Sequence, residues 1–216
     1  MTYLSRVELN PYRRETITAM NSPQIMHAAV MASFVSTEPQ QGSRVLWRID
    51  HIGSSVFLLI QSGSKPDLHH IVDQFGRPDT GQTGDTLDYR PFLDRIQKGK
   101  KYRFRIRANP IRSIPTDGKR GKVKAHVTTA QQIEWLLSRA EKCGFTVVSD
   151  ENRPKIDVTN RSFMKFDHGN STVSIATATF EGILEVLDRE LFLDAIQNGI
   201  GKAKAYGCGM ISVLEV

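Results

Sequence analysis

Six histidines punctuate the 216-residue chain, and His27 is the one whose setting suits proton transfer. Ser22-Pro23 before it reads as an N-cap followed by proline at the first helical position, so His27 falls in the first two turns of a helix. The field at a helix N-terminus disfavours a second positive charge, which keeps an imidazole neutral and basic. A neutral imidazole can take the proton of a ribose 2′-hydroxyl. A histidine at the edge of an apolar helix surface is the plainer reading, and the residues alone favour it. His51, His69, His70, His126 and His168 have no partners at metal-ligand spacing and read as surface or packing residues. Cys143 and Cys208 stand far apart without a C-x-x-C neighbour, so each reads as an isolated thiol. Carboxylates do not cluster into a two-metal D-x-D or D-x-x-E site. Neither a metal nor a small-molecule cofactor is expected.

A glycine-rich tail is the second candidate: Gly199-Ile200-Gly201-Lys202-Ala203-Lys204-Ala205-Tyr206-Gly207-Cys208-Gly209. It fails as a Walker loop, because Ile196 and Ala203 stand where that motif needs Gly and Ser or Thr. It fails as a dinucleotide fingerprint, because Lys204 replaces the third Gly. Gly199, Gly201, Gly207 and Gly209 still let backbone N–H groups approach a phosphate, with Lys202 and Lys204 beside them. A solvated turn between helix and strand is the alternative.

The third candidate is a block of charge. Lys98 to Lys124 holds eleven Lys or Arg against one acid, Asp117. The whole chain carries only +6, so the remainder is net acidic. Within the block, Lys101-Tyr102-Arg103-Phe104-Arg105-Ile106-Arg107-Ala108 alternates with the period of a strand. Lys101, Arg103, Arg105 and Arg107 then share a sheet face and repel one another unless something anionic lies across them. A polyanion is the natural occupant, and nucleic acid the commonest. Arg112 and a basic finger carrying Lys119, Arg120 and Lys122 also suit phosphate contacts.

The elements that must position these groups follow one plan twice. In the first half, a strand over 2–9 is followed by a helix over 25–35, strands over 44–52 and 55–61, and a short helix over 67–75. A loop over 76–87 closes it. In the second half, a strand over 102–114 breaks at Asn109-Pro110 and leads to a loop over 115–124. A helix over 129–143, capped by Thr129 and ended by Gly144, has Ile133, Leu136, Leu137 and Ala140 as its apolar stripe. Strands over 145–148 and 172–186, a helix over 189–198 and a strand over 210–216 complete it. The expected fold is α+β, with two tandem ferredoxin-like (RRM-like) domains and antiparallel sheets. The domains are expected at 1–93, carrying the helix of His27, and at 94–216, carrying the basic strand and the glycine-rich loop. No run approaches the roughly 20 apolar residues of a membrane span, and the N-terminus lacks the pattern of a signal peptide. A cytoplasmic location is the expectation.

Four segments together resemble the CasE family of CRISPR-associated endoribonucleases of type I-E systems. They are Tyr3-Leu4-Ser5-Arg6-Val7, Phe104 to Pro110, Phe180-Glu181-Gly182-Ile183-Leu184, and Gly199 to Gly209 followed by Met210-Ile211-Ser212. The resemblance implies metal-independent cutting of precursor CRISPR RNA at the 3′ base of the repeat stem-loop. A 2′-hydroxyl attacks the adjacent phosphodiester, and the enzyme stays on its product as a subunit of the Cascade complex. It implies that His27 is the catalytic histidine. Relatives carry a tyrosine three residues before that histidine and, in some, a lysine five after it; Gln24 and Ala32 stand there here. Gln24, Lys202 and Lys204 are the auxiliary candidates. Arg153, Lys155, Arg161 and Lys165, on a hairpin-like stretch, are placed to probe the stem end. Other readings are a non-catalytic RNA-binding module and a structural subunit of a ribonucleoprotein. The module reading lacks the aromatic strand signature that stacks bases.

Overall fold

The computed structural model describes residues 2–34, 44–81, 83–116, 119–151, 153–168 and 171–216. Backbone contacts divide the chain into two units. The first is Met1–Arg95 with Gln197–Gly199 and Lys204–Met210; the second is Ile96–Ile196 with Ile200–Ala203 and Ile211–Val216. A single cut after residue 93 places the whole glycine-rich tail in the second half. The contacts instead assign most of that tail to the first unit.

The first unit runs β1 (Tyr3–Leu9), α1 (Arg14–Asn21), α2 (Pro23–Ala32), β2 (Leu46–Ile52), β3 (Ser55–Ser62), α3 (His69–Phe75), β4 (Asp85–Asp88) and a turn of helix, α4 (Arg90–Leu93). Its sheet has the order β2-β3-β1-β4, antiparallel throughout. That is the ferredoxin-like order, in which the fourth strand lies beside the first. β4 falls inside the stretch expected to be loop. α1 is an addition: only Thr16 and Ala19 of it are buried, so it has no apolar stripe to announce it. The helix expected over 25–35 starts two residues earlier and ends at Ala32, and Val35 lies outside the described residues. Val7, Leu9, Met26, Val30, Trp47, Leu58, Ile60, Ile71 and Phe75 fill the core between sheet and helices.

The second unit runs β5 (Lys101–Ala108), β6 (Ile111–Thr116), β7 (Lys119–Ala125), α5 (Thr129–Ala140), β8 (Phe145–Val147), β9 (Ser149–Asp150), β10 (Arg153–Pro154), β11 (Ile156–His168), β12 (Ser171–Val186), α6 (Arg189–Asn198) and β13 (Ile211–Glu215). The main sheet has the order β11-β12-β5-β13, with β8 continuing the β11 edge against the end of β12. This is the same plan with its second strand split. The expected loop over 115–124 is largely a hairpin of β6 and β7, and the stretch before residue 168 is a long strand. α5 is capped by Thr128, not Thr129. The Thr128 hydroxyl accepts from the Gln131 N–H at 3.2 Å, and the Gln131 side chain accepts from the Thr128 N–H at 3.4 Å. Its buried face is Gln132, Trp135, Leu136 and Ala140, so Trp135 takes the place expected of Leu137. Trp135 stacks on Phe180, and Phe145 meets both Phe104 and Phe192. These rings tie α5 and α6 to the sheet.

Candidate functional site

Ser22 joins two helices. Its N–H donates to the Thr18 carbonyl at 3.0 Å, closing α1, and its carbonyl accepts from the Ile25 N–H at 2.9 Å, opening α2. Its hydroxyl makes no cap bond, and Pro23 sets the first helical φ. His27 follows on α2, half-buried, with its Nδ1 buried and lacking a hydrogen-bond partner. Burial pushes the imidazole pKa down from its usual 6.5. The expected outcome, a neutral imidazole, therefore holds, and its cause is desolvation. Gln24, one turn earlier, has its Oε1 buried and unpartnered as well. Side chains three apart are neighbours on a helix surface. Buried polar atoms without partners are rare in native proteins and mark places where a ligand or water completes the network.

The glycine-rich tail meets this helix. Lys204–Tyr206 forms a 3₁₀ turn packed against α2 and β2. Gly207 has φ +74°, and a Cβ there would stand 2.8 Å from the Trp47 ring. Only glycine lets the chain lie against the indole in that conformation. The next residue of β2, Arg48, donates from Nη1 to the Met210 carbonyl at 2.9 Å. Asp50 holds the same guanidinium with both carboxylate oxygens, each at 2.7 Å. Arg48 is 1% exposed and Asp50 7%, and charges are buried this deeply only when paired. β2 thus fixes the tail at Gly207 and at Met210, just after the turn that rests on the helix of His27. Gly199 is packed on Leu46 and the Gly209 carbonyl, closing the same segment. Trp47, Arg48 and Asp50 are not among the site residues expected from sequence. The available signal was an Arg and an Asp at i and i+2, hence on one face, in a strand that also holds Leu46, Trp47, Ile49 and Ile52.

His27, Gln24 and Lys204 are therefore all within the first unit, on α2 and the turn against it. Lys202 is exposed and clusters with the second unit. There Gly201, at φ +86°, runs over the edge of Trp135.

The basic strand forms as expected, but its anion is partly internal. Glu181, opposite Arg105 on β12, accepts from its Nε at 2.9 Å, and Glu185 stands opposite Lys101. Arg107 donates to the Thr177 hydroxyl at 3.4 Å and reaches the Met164 sulfur at 3.6 Å. An internal acid therefore relieves the ladder at Arg105, and Lys101 has an acid opposite it in register, so an outside polyanion is not the sole relief. Arg103 is exposed and faces Ile183 and Leu214, with no acid opposite. Like charges meet on the β6–β7 hairpin, where Arg112 stands directly opposite Lys124. Like charges opposed across a two-stranded ribbon destabilise it. The side chains of Lys119, Arg120 and Lys122 lie outside the described residues. Arg153 is exposed opposite Asp150, and Lys155 pairs with that Asp at 3.2 Å. Arg161 is exposed and donates to the Val127 carbonyl at 3.3 Å, while Lys165 is exposed.

Residues 2–214 match a protein family described as CRISPR associated protein. The CRISPR system Cascade subunit CasE of Escherichia coli is 32% identical over 163 residues, covering 71% of this chain and 78% of that protein. The chain belongs to this CRISPR-associated family. Another member, the CRISPR-associated endoribonuclease Cse3 of Thermus thermophilus, is 28% identical over 98% of this chain and 99% of its own. A solved structure of Thermus thermophilus Cse3, bound to an RNA representing a pre-cleavage complex, superposes with a TM-score of 0.82. It is 26% identical and covers 99% of this chain and 98% of that one. Family members thus share both ferredoxin-like domains with this chain, not one domain alone.

Proposed function

We propose that the protein is a CRISPR-associated endoribonuclease that cuts precursor CRISPR RNA at the 3′ base of the repeat stem-loop. One observation carries this reading. A half-buried imidazole, kept neutral by burial and with an orphaned Nδ1, sits on a helix packed against the glycine-rich turn. Support comes from an endoribonuclease aligned along nearly the whole chain.

The chemistry needs no metal ion in its balance. The 2′-oxygen attacks the adjacent phosphorus and the bond to the 5′-oxygen breaks, leaving a 2′,3′-cyclic phosphate and a 5′-hydroxyl. His27 takes the 2′-hydroxyl proton or gives one to the departing 5′-oxygen. Gln24 can orient a phosphate oxygen through its amide N–H groups but has no proton to transfer. Lys204, with Lys202 as the second candidate, places positive charge by the pentavalent phosphate. Arg103, Arg107, Arg112, Lys119, Arg120 and Lys122 hold the stem by its phosphates, since A-form RNA is read mainly by shape and backbone. The product stays bound, and the protein serves as a Cascade subunit, the role named for the Escherichia coli relative.

The test is a labelled repeat hairpin incubated in EDTA with the wild type and with His27→Ala. Site-specific cutting by the wild type is expected, with a loss of at least ~10²-fold in single-turnover rate in the variant and binding retained. Equal cutting by both removes His27 from the mechanism. Binding without cutting by the wild type identifies a non-catalytic RNA-binding module.

A further inference from the structure

A cavity of about 160 Å³ lies in the second unit where β5 ends, bounded by α5, the β6–β7 hairpin and the Gly201–Lys202 turn. Asn109, Ser113, Trp135, Arg139, Gly201 and Lys202 are in its wall. Two of these carry orphaned polar atoms. Asn109, 7% exposed, has its Oδ1 buried without a partner, and Trp135, 4% exposed, has its Nε1 in the same condition. Arg139 lies over the Trp135 ring at 4.2 Å from its centroid. Its Nη1 donates to the Trp135 carbonyl at 2.8 Å, which fixes the guanidinium against the indole. Pro110 follows Asn109 and has no N–H to give, so the strand stops there and leaves the amide beside the cavity. Gly201 keeps the space open, since a Cβ there would stand 3.0 Å from the indole.

The orphaned atoms select the ligand. An amide oxygen wants a hydrogen-bond donor and an indole N–H wants an acceptor. A backbone phosphodiester only accepts, so it satisfies the indole and leaves Asn109 unpaired. The edge of a nucleobase presents a donor beside an acceptor. The volume is below the ~300 Å³ of sites for drug-sized ligands, so it suits one base and not a base pair. We infer that this cavity takes the base of a single unpaired nucleotide of the bound RNA, with the adjoining phosphate on Arg139 and Lys202. Sequence-specific RNA recognition is concentrated on such splayed bases. A stem read by its backbone would gain its sequence selectivity here.

The inference rests on the endoribonuclease reading, so the experiment separates the two. Full-length protein carrying His27→Ala, which keeps the RNA intact, is titrated with repeat hairpins that are abasic at one unpaired position at a time. Cutting of the unmodified hairpin by the wild type reports on the endoribonuclease reading alone. At one position, base removal is expected to weaken binding about tenfold or more when Asn109 is present. At that position it should have little effect once Asn109→Leu is added, the signature of two coupled groups. Lys202→Ala, a truncation at an exposed site, should weaken binding of every hairpin and lower the log–log salt slope by about one. Independent effects of base and Asn109 at every position would overturn the proposal. So would an unchanged affinity and slope for Lys202→Ala. Competition by inorganic phosphate as strong as that by nucleoside monophosphates would mark a simple anion site and likewise overturn it.

Discussion

A histidine becomes useful to an RNA-cutting enzyme when it is neutral at working pH and has a nitrogen to spare. His27 meets both conditions through burial: desolvation lowers its pKa and leaves Nδ1 without a partner. The sign of the pH effect follows. Because the charged form is the one disfavoured, the neutral form persists as pH falls through 6.5 and is lost only below it. If His27 is the general base, single-turnover rates measured between about pH 5 and 8 will show an acid limb with its inflection below 6.5. That limb should vanish in His27→Ala. The same shift acts on folding. The unfolded chain takes up this proton near 6.5 and the folded chain does so only at lower pH, so stability falls as pH drops below 6.5. Gln24, whose Oε1 is orphaned one turn away, can hydrogen-bond but has no proton to transfer.

At the scale of elements, the site depends on how β2 holds the tail. Gly207→Ala forces a Cβ toward the Trp47 ring in a left-handed conformation, and should cost about 1–3 kcal/mol in denaturant unfolding. It should also slow cleavage, because the adjoining turn packs on α2. Arg48→Met removes the guanidinium that holds both oxygens of the buried Asp50 carboxylate, at a cost of about 3–5 kcal/mol. Arg48→Met combined with Asp50→Leu should recover much of that loss, since the pair as a whole is worth far less than one stranded charge. Much of this architecture was legible. β5 announces itself because its core residues Tyr102, Phe104 and Ile106 alternate without exception. The helix of His27 is announced by Ser22-Pro23. Other elements were hidden for identifiable reasons. β11 carries Asp157 and then Thr159, Asn160 and Arg161 in succession and exposes Phe163, so its strand character comes from pairing along β12 and not from its own pattern. The β6–β7 hairpin reads as a solvated charge run because its rungs are cationic. The anchor of the tail could not be seen at all, because Arg48 and Met210 are 162 residues apart.

At the scale of the whole molecule, charge decides how RNA is approached. A concentration of cations in one eighth of the chain, against a net acidic remainder, favours a directed track over general stickiness. Neutralising six phosphates would give a log–log salt slope near about −5. Glu181 holds Arg105, so if RNA runs along β5 it competes for that guanidinium and acts as a brake on the slope. Glu181→Gln should tighten binding of the repeat hairpin and steepen the slope by about one, measured by titration across a salt series. An unchanged slope would place Arg105 outside the RNA track.

The first unit is sewn together from both ends of the polypeptide, and this bears on how the protein is born. A ribosome releases Arg48 long before Met210, the carbonyl it must find. At about 5–20 residues per second, the intervening 162 residues take roughly 10–30 s to emerge. Throughout that interval the guanidinium lacks the Met210 carbonyl, and the indole beside it has no glycine segment to cover it. The packing of the N-terminal unit is thus completed only when synthesis is nearly finished, by the arrival of the chain's own last segment.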